Sequence, residues 1–293
     1  MVEVVIVGHF AIDINTYPWG TIENALGGAP IYGGLTAVSL GFETGIVSKV
    51  GRDFVERFPP LFSKLGLDTE GILVSGKKTT TFENIYDEKG NRKQVCRYVA
   101  PEILPQDVPG SYRGAKAFYV SPIAGEISAE LLASLKTEKN VVALDPQGIL
   151  RKIEKNGNIK IVKKDLREYL RYVDILKIGK EESVILGPEP KSEMKKLAEA
   201  GPSVVIVTRG EKTSIVLHER NFFEVPSLKV DARSMTGAGD VFGTAFLCRY
   251  LKRKDVIEAA RFASVAAGLK IRYHGPVGFP SEDEVLQAMK SLQ

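Results

Sequence analysis

Short runs of apolar, β-branched residues alternate along the chain with segments whose apolar positions recur every three or four residues. VEVVIVG (2–8), TGIVSKVG (44–51), AKAFYVS (115–121), NVVALD (140–145), YVDILKI (172–178) and SVVIVT (203–208) are nearly continuous apolar runs. That is the pattern of strands covered on both faces. Amphipathic stretches such as ISAELLASLKTE and SEMKKLAEA lie between several of them and predict helices. The alternation predicts a three-layer α/β fold, with a mostly parallel central sheet and helices on both faces. Sheets of this kind bind ligands at the carboxyl ends of their strands, so the candidate chemistry is sought there.

Two regions depart from the alternation. TTTFENIYDEKGNRKQVCRYV (79–99) reads as two strands joined by a turn over 87–91. With the irregular stretch 14–26 it predicts a small β-sheet lid projecting from the main body. TSIVLHERNFFEV (213–225) predicts a second hairpin after the last parallel strand. Neither a repeat nor a low-complexity linker divides the chain, which therefore reads as a single domain over 1–293.

Composition narrows the classes further. The net charge of +4 comes from 40 basic and 36 acidic residues dispersed along the chain. Without a basic block there is no nucleic-acid footprint, while anionic small molecules stay in view. Cys96 and Cys248 are isolated thiols, which points to a reducing cytoplasm and to no disulfide framework. MVEVVIVGHF is short, acidic and interrupted by Gly8, unlike a signal peptide, and no apolar run reaches the length of a membrane span.

The stretch with the most chemistry is SMTGAGDVFGTAF (234–246). Gly237, Ala238 and Gly239 carry almost no side chain, so their backbone N–H groups can approach an anion closely. If a helix begins there and runs through VFGTAFLCRYL, its unpaired N–H groups and positive dipole end point to the same place. Asp240 then sits in the first turn. An anion cradle beside a carboxylate suits phosphoryl transfer, because the cradle steadies developing charge and the carboxylate accepts a hydroxyl proton. Taken alone, GAGD also reads as a plain helix start with an acidic residue.

The surrounding motifs decide between those readings. Residues 234–246 resemble the C-terminal signature of the ribokinase-like (PfkB) carbohydrate kinases, close to D-T-x-G-A-G-D-x-F-x-x-A. GGAPIYGGLTAVSLGFETGIVSKVGRDF (27–54) is similar to that family's first signature. GHFAID (8–13), LDPQGILR (144–151), LKIGKEE (176–182) and VTRGEKTS (207–214) resemble the family's remaining segments, in the family's order and over nearly the whole chain. The resemblance implies a ribokinase-like fold and an ATP-dependent kinase. In that reading Asp240 is the catalytic base and Gly237, Ala238 and Gly239 form the anion hole. Asp13, Gly27 and Gly28 hold substrate hydroxyls, Lys177, Thr208 and Gly210 line the nucleotide phosphates, and Glu182 positions the water shell of Mg²⁺. The sequence departs from the family pattern at Tyr32 (commonly Asn), Gly179 (Asn of N-x-x-E), Thr213 (Gly) and Ser234 (Asp). The last change bears on the monovalent cation that many members bind at that segment, and leaves potassium dependence open.

For the acceptor, DPQGILR is similar to the archaeal and plant-type inositol kinase branch, in which Gln147 and Arg151 would lie near the substrate. This favours myo-inositol or a similar polyol. A nucleoside kinase would need an apolar slot, for which Tyr32, Phe82, Tyr86 and Tyr98 are candidates, and a sugar phosphate could use Arg97 or Lys49. A non-catalytic nucleotide sensor is disfavoured by the intact base. GILVSGKK (71–78) nearly fits a P-loop, but Lys78 stands where Ser or Thr must bind Mg²⁺. The opening strand lacks the glycine-rich turn of a dinucleotide-binding dehydrogenase. The phosphoryl donor remains open between ATP and ADP. Unpaired lid edges would allow pairing with a second copy of the chain as a homodimer.

Overall fold

The computed structural model describes residues 1–56, 58, 62, 65–88 and 92–291. The strands are β1 (Val4–Val7), β2 (Ala11–Tyr17), β3 (Gly20–Gly27), β4 (Thr44–Val50), β5 (Leu67–Val74), β6 (Thr80–Tyr86), β7 (Arg92–Tyr98) and β8 (Ala117–Val120). They continue as β9 (Val141–Leu144), β10 (Arg151–Ile153), β11 (Ile159–Ile161), β12 (Ile175–Ile178), β13 (Val204–Arg209), β14 (Lys212–His218) and β15 (Asn221–Val225). The main sheet has the order β15-β14-β13-β12-β9-β8-β1-β4-β5. All its pairings are parallel from β5 to β13, and the hairpin β14–β15 is antiparallel.

The apolar runs form this sheet because each strand feeds a core on both sides. In β1, Val4 and Ile6 enter one core while Val5 and Val7 enter the other, as a period of two requires. Helices Ala29–Ser39, Ala238–Arg253, Val256–Lys270 and Glu282–Lys290 cover the first face. Helices Ala129–Leu135, Arg167–Leu170 and Pro190–Glu199 cover the second. The helix Ala238–Arg253 is buried on every side from Asp240 to Arg249, so it reads apolar throughout rather than amphipathic.

Two parts of the sheet system lie outside the sequence expectations. The edge strand β5 includes Gly71–Val74, the section examined as a P-loop, and its GILV segment pairs with β4. The charged three-residue strands β10 and β11 form a separate hairpin directly after DPQGIL.

The stretches 14–26 and 79–99 meet in a four-stranded sheet of order β3-β2-β6-β7. β2 pairs parallel to β6, and both outer pairings are antiparallel. Of the expected turn over 87–91, residues 89–91 lie outside the described residues. A hydrogen-bond chain ties this sheet to the main body. His9 Nε2 donates to Pro101 O at 3.0 Å, and its Nδ1 accepts from Thr80 Oγ1 at 2.9 Å. Those partners fix the neutral tautomer, and burial lowers the imidazole pKa, in agreement. Asp53, from the first signature, accepts from both Thr79 N and Thr79 Oγ1 at 2.9 Å, fixing the start of β6.

Candidate active site

β1 is the point from which the main sheet grows in both directions, toward β4 on one side and β8 on the other. The carboxyl ends of β8, β9 and β12 converge beside it, and each supplies one polar residue: Ser121, Asp145 and Lys177. The N-terminus of the helix Ala238–Arg253 closes on these three from above.

Gly237 is the N-cap of that helix, in the left-handed conformation with φ 76°. A Cβ there would lie 2.1 Å from Cδ1 of Tyr32, so only glycine permits the corner. The N–H of Ala238 donates to Met235 O at 3.2 Å and is thus used within the corner. Among the described residues, no acceptor takes the N–H groups of Gly237, Gly239 or Asp240, which remain as an anion cradle. Lys177 adds its charge there, since a Cβ on Gly239 would lie 2.8 Å from Lys177 Nζ.

Asp240 is 8% exposed and accepts a hydrogen bond from Ser121 Oγ at 3.0 Å. Ser121 in turn accepts from Gln147 Nε2 at 3.2 Å. Burial, then the nearby Asp145 carboxylate, push the Asp240 pKa from 3.8 up to about 6, against the opposing pull of Lys177 and the Ser121 hydroxyl. Such a carboxylate is ionised at neutral pH yet basic enough to accept a proton, which suits a general base. Lys177 Nζ donates to Asp145 Oδ2 at 2.5 Å, and both side chains are buried. Burial opposes the Lys177 charge, but Asp145, with Asp240 and Glu182 behind it, raises its pKa overall.

Glu182 lies next along. Arg151 Nη2 stands 3.6 Å from Glu182 Oε1 and 3.7 Å from Glu181 Oε2, and Arg151 Nη1 donates to Ile123 O at 3.4 Å. Burial and Asp145 raise the Glu182 pKa. Asp145 and Glu182 thus flank Lys177 as two hard oxygen donors. No cluster of three or more candidate ligands for a metal occurs among the described residues. This donor set fits Mg²⁺, which needs one or two carboxylates and takes its other ligands from water and phosphates.

The remaining expected residues lie around this centre. Asp13 is on β2, and a Cβ on Gly27 would meet its Oδ2 at 2.5 Å. Gly28, with φ 90°, caps the helix Ala29–Ser39, and a Cβ there would meet His9 O at 2.3 Å. Tyr32 feels the charge of both carboxylates: burial first, then Asp13 and Asp240, raise its pKa far above the ordinary phenol value. Thr208 lies at the end of β13, one strand beyond Lys177, and Gly210 directly follows that strand, with Thr208 Oγ1 donating to Ile178 O at 3.4 Å. Ser121 and Asp145 were not singled out from sequence. Asp145 stood inside a quoted motif, whereas only strand adjacency reveals Ser121.

With this geometry in view, comparison with known proteins is informative. Residues 1–283 match the pfkB family of carbohydrate kinases. The chain belongs to that family. Among curated relatives, a protein named cytidine kinase from Thermococcus kodakarensis is 30% identical over 268 residues, covering 89% of this chain and 93% of its own. A nucleoside kinase from Methanothermobacter thermautotrophicus is 26% identical, covering 93% and 90%. Among solved structures, a pyrophosphate-dependent kinase of the ribokinase family, complexed with a pyrophosphate analog and myo-inositol, superposes with a TM-score of 0.81. It is 24% identical, covers 98% of this chain and 100% of its own, and establishes the ribokinase-like fold. This pfkB kinase therefore acts on a sugar or nucleoside. No helix among the described residues is long and apolar enough to cross a membrane.

Proposed function

We propose that the enzyme transfers the γ-phosphoryl group of ATP to a sugar hydroxyl of a nucleoside, with a pyrimidine nucleoside such as cytidine as the favoured acceptor. The observation that carries this reading is an aromatic stack on the strand that bears Asp13. Tyr17 stacks on Trp19 and on Tyr86, with centroids 4.8 Å apart in both pairs and interplanar angles of 5° and 7°. Asp13, Asn15 and Tyr17 alternate along β2 and share one face of the small sheet. Asp13 would accept two ribose hydroxyls, and the aromatic ladder would offer a ring face to the base. Between them runs a chain of amides, Gln94 Nε2 to Asn84 Oδ1 at 2.8 Å and Asn84 Nδ2 to Asn15 Oδ1 at 2.9 Å, suited to a polar base edge.

Of the aromatics considered from sequence, Tyr32 and Phe82 are core residues and Tyr86 belongs to the stack. The segment that favoured myo-inositol lies at the catalytic centre, with Gln147 holding Ser121 beside Asp240 and Arg151 meeting Glu181, Glu182 and Ile123 O. It stands away from the aromatic stack and can serve the reacting hydroxyl of either acceptor. The 30% identity to a cytidine kinase supports the nucleoside.

In this reading Asp240 removes the acceptor proton, while the free amides of the corner and the Lys177 ammonium hold the charge on the transferring group. Asp145 and Glu182 would hold the Mg²⁺ that accompanies the nucleotide, and that ion would supply neutralisation of phosphate charge. The four-stranded sheet would act as a cover that excludes water and limits hydrolysis of ATP. The test is a coupled assay over cytidine, uridine, adenosine, ribose, myo-inositol and 2-keto-3-deoxygluconate. Cytidine should give the highest kcat/KM, and turnover of myo-inositol with every nucleoside inert would overturn the assignment.

A further inference from the structure

Three lysines are buried among the described residues. Lys49 meets Asp107 at 2.7 Å and Lys177 meets Asp145 at 2.5 Å, so two of them have anionic partners. Lys270 is 0% exposed, and no carboxylate among the described residues pairs with it. Its ammonium donates to Tyr273 O at 3.3 Å and lies 5.5 Å from the ring centroids of both Tyr32 and Phe279. Burying a cation without an anion is costly, and here burial pulls the pKa from 10.5 down to about 8. Among the described residues, two aromatic faces and one carbonyl offset that cost.

The location gives the arrangement its meaning. Tyr32, one of the two rings, is the residue packed directly on Gly237 of the anion cradle. The chain leading to that corner is anchored beside Lys270, with Arg233 N and Ser234 N donating to Ile271 O at 2.8 and 3.1 Å. This is the segment where the family resemblance implies a bound monovalent cation. The residues present do not suit one. Ser234 supplies no anionic oxygen, both lone pairs of Ile271 O are taken, and an ammonium already sits next to the loop.

We infer that the Lys270 ammonium is a tethered monovalent cation, which braces the phosphoryl-binding corner through the Tyr32 ring and makes the kinase independent of added alkali ions. Lys270 is a positioning residue in this account. The Asp240 pKa is governed by burial, Asp145, Lys177, Ser121 and Arg151. Lys270 holds a ring against Gly237, and that ring sets where the unpaired amides stand. The inference depends on kinase activity, not on which acceptor is used.

The experiment compares the intact wild-type enzyme in potassium and in tetramethylammonium buffers of equal ionic strength, reading both kcat and melting temperature. Wild type should differ by less than about twofold in kcat and show no change in melting temperature. Lys270→Ala should lose about tenfold to thirtyfold in kcat, the size expected for desolvated cation–π contacts. Potassium or methylammonium should then restore part of that loss and raise the melting temperature of the variant. Lys270→Arg, which keeps a cation between the rings, should stay within a few-fold of wild type and remain insensitive to potassium. Several-fold stimulation of wild type by potassium would overturn the inference, as would a Lys270→Ala enzyme with normal turnover or one that neither ion rescues. Should Lys270→Ala fail to fold, the ion comparison on wild type and Lys270→Arg still decides.

Discussion

Replacing Asp240 with asparagine should disable the enzyme and stabilise it, and the stabilisation should depend on pH. The carboxylate is buried, and its pKa rises from 3.8 in the unfolded chain to about 6 in the fold. At about 1.36 kcal/mol per pH unit, that difference corresponds to about 3 kcal/mol. Below pH 3.8 the folded and unfolded chains both carry the proton, and the residue costs nothing. As pH rises through 6 the folded chain must ionise a group in a dry site, and the full cost appears. Asparagine keeps an acceptor for the Ser121 hydroxyl but never ionises. Thermal unfolding of both proteins at pH 5, 6, 7 and 8 should show the variant more stable by up to about 3 kcal/mol at pH 7 and 8, or about 5 °C in Tm. The gain should shrink toward pH 5. Turnover should fall by roughly 10²–10⁴. A variant less stable than wild type at pH 7, or equally stabilised at every pH, would refute the reasoning.

Two further substitutions probe the same carboxylate from opposite sides. Ser121→Ala removes a donor that favours the ionised form, so the acid limb of kcat/KM, near pH 6 in wild type, should move to higher pH with a loss of about tenfold in kcat. An unmoved limb would show that the hydroxyl has no hold on the base. Asp145→Asn removes a repelling charge and frees Lys177, so the limb should move to lower pH. It also strands a buried ammonium at a cost of about 3–5 kcal/mol, readable in the urea midpoint. Unchanged stability would contradict the pairing of Lys177 with Asp145.

The main sheet was legible because strands buried on both faces leave apolar runs that local chemistry cannot imitate. β5 escaped because it is an edge strand whose LDTEGILV mixes exposed acids with apolar residues. β10 and β11 escaped because RKI and IKI each carry exposed lysine over only three residues. In the site, the corner at Gly237–Asp240 was legible because its backbone geometry demands glycine, which leaves a mark in sequence. The hold of Ser121 on Asp240 spans 119 residues and exists only because β8 ends beside that helix. Lys270 was hidden for a different reason. A lysine in the last turn of a helix reads as a surface partner of the dipole, and only packing shows that its ammonium lies between two rings.

The parallel register of β2 and β6 carries a consequence for assembly of the chain. Asn15 and Asn84, 69 positions apart, sit side by side in that pairing, and β3, the helix Ala29–Ser39, β4 and β5 are laid down between them. No tight turn can nucleate such a match, and closing so long a loop is entropically unfavourable until the intervening strands have docked. The hairpins β2–β3 and β6–β7 can each close locally, whereas their union through β2 and β6 should come only after β4 and β5 have docked.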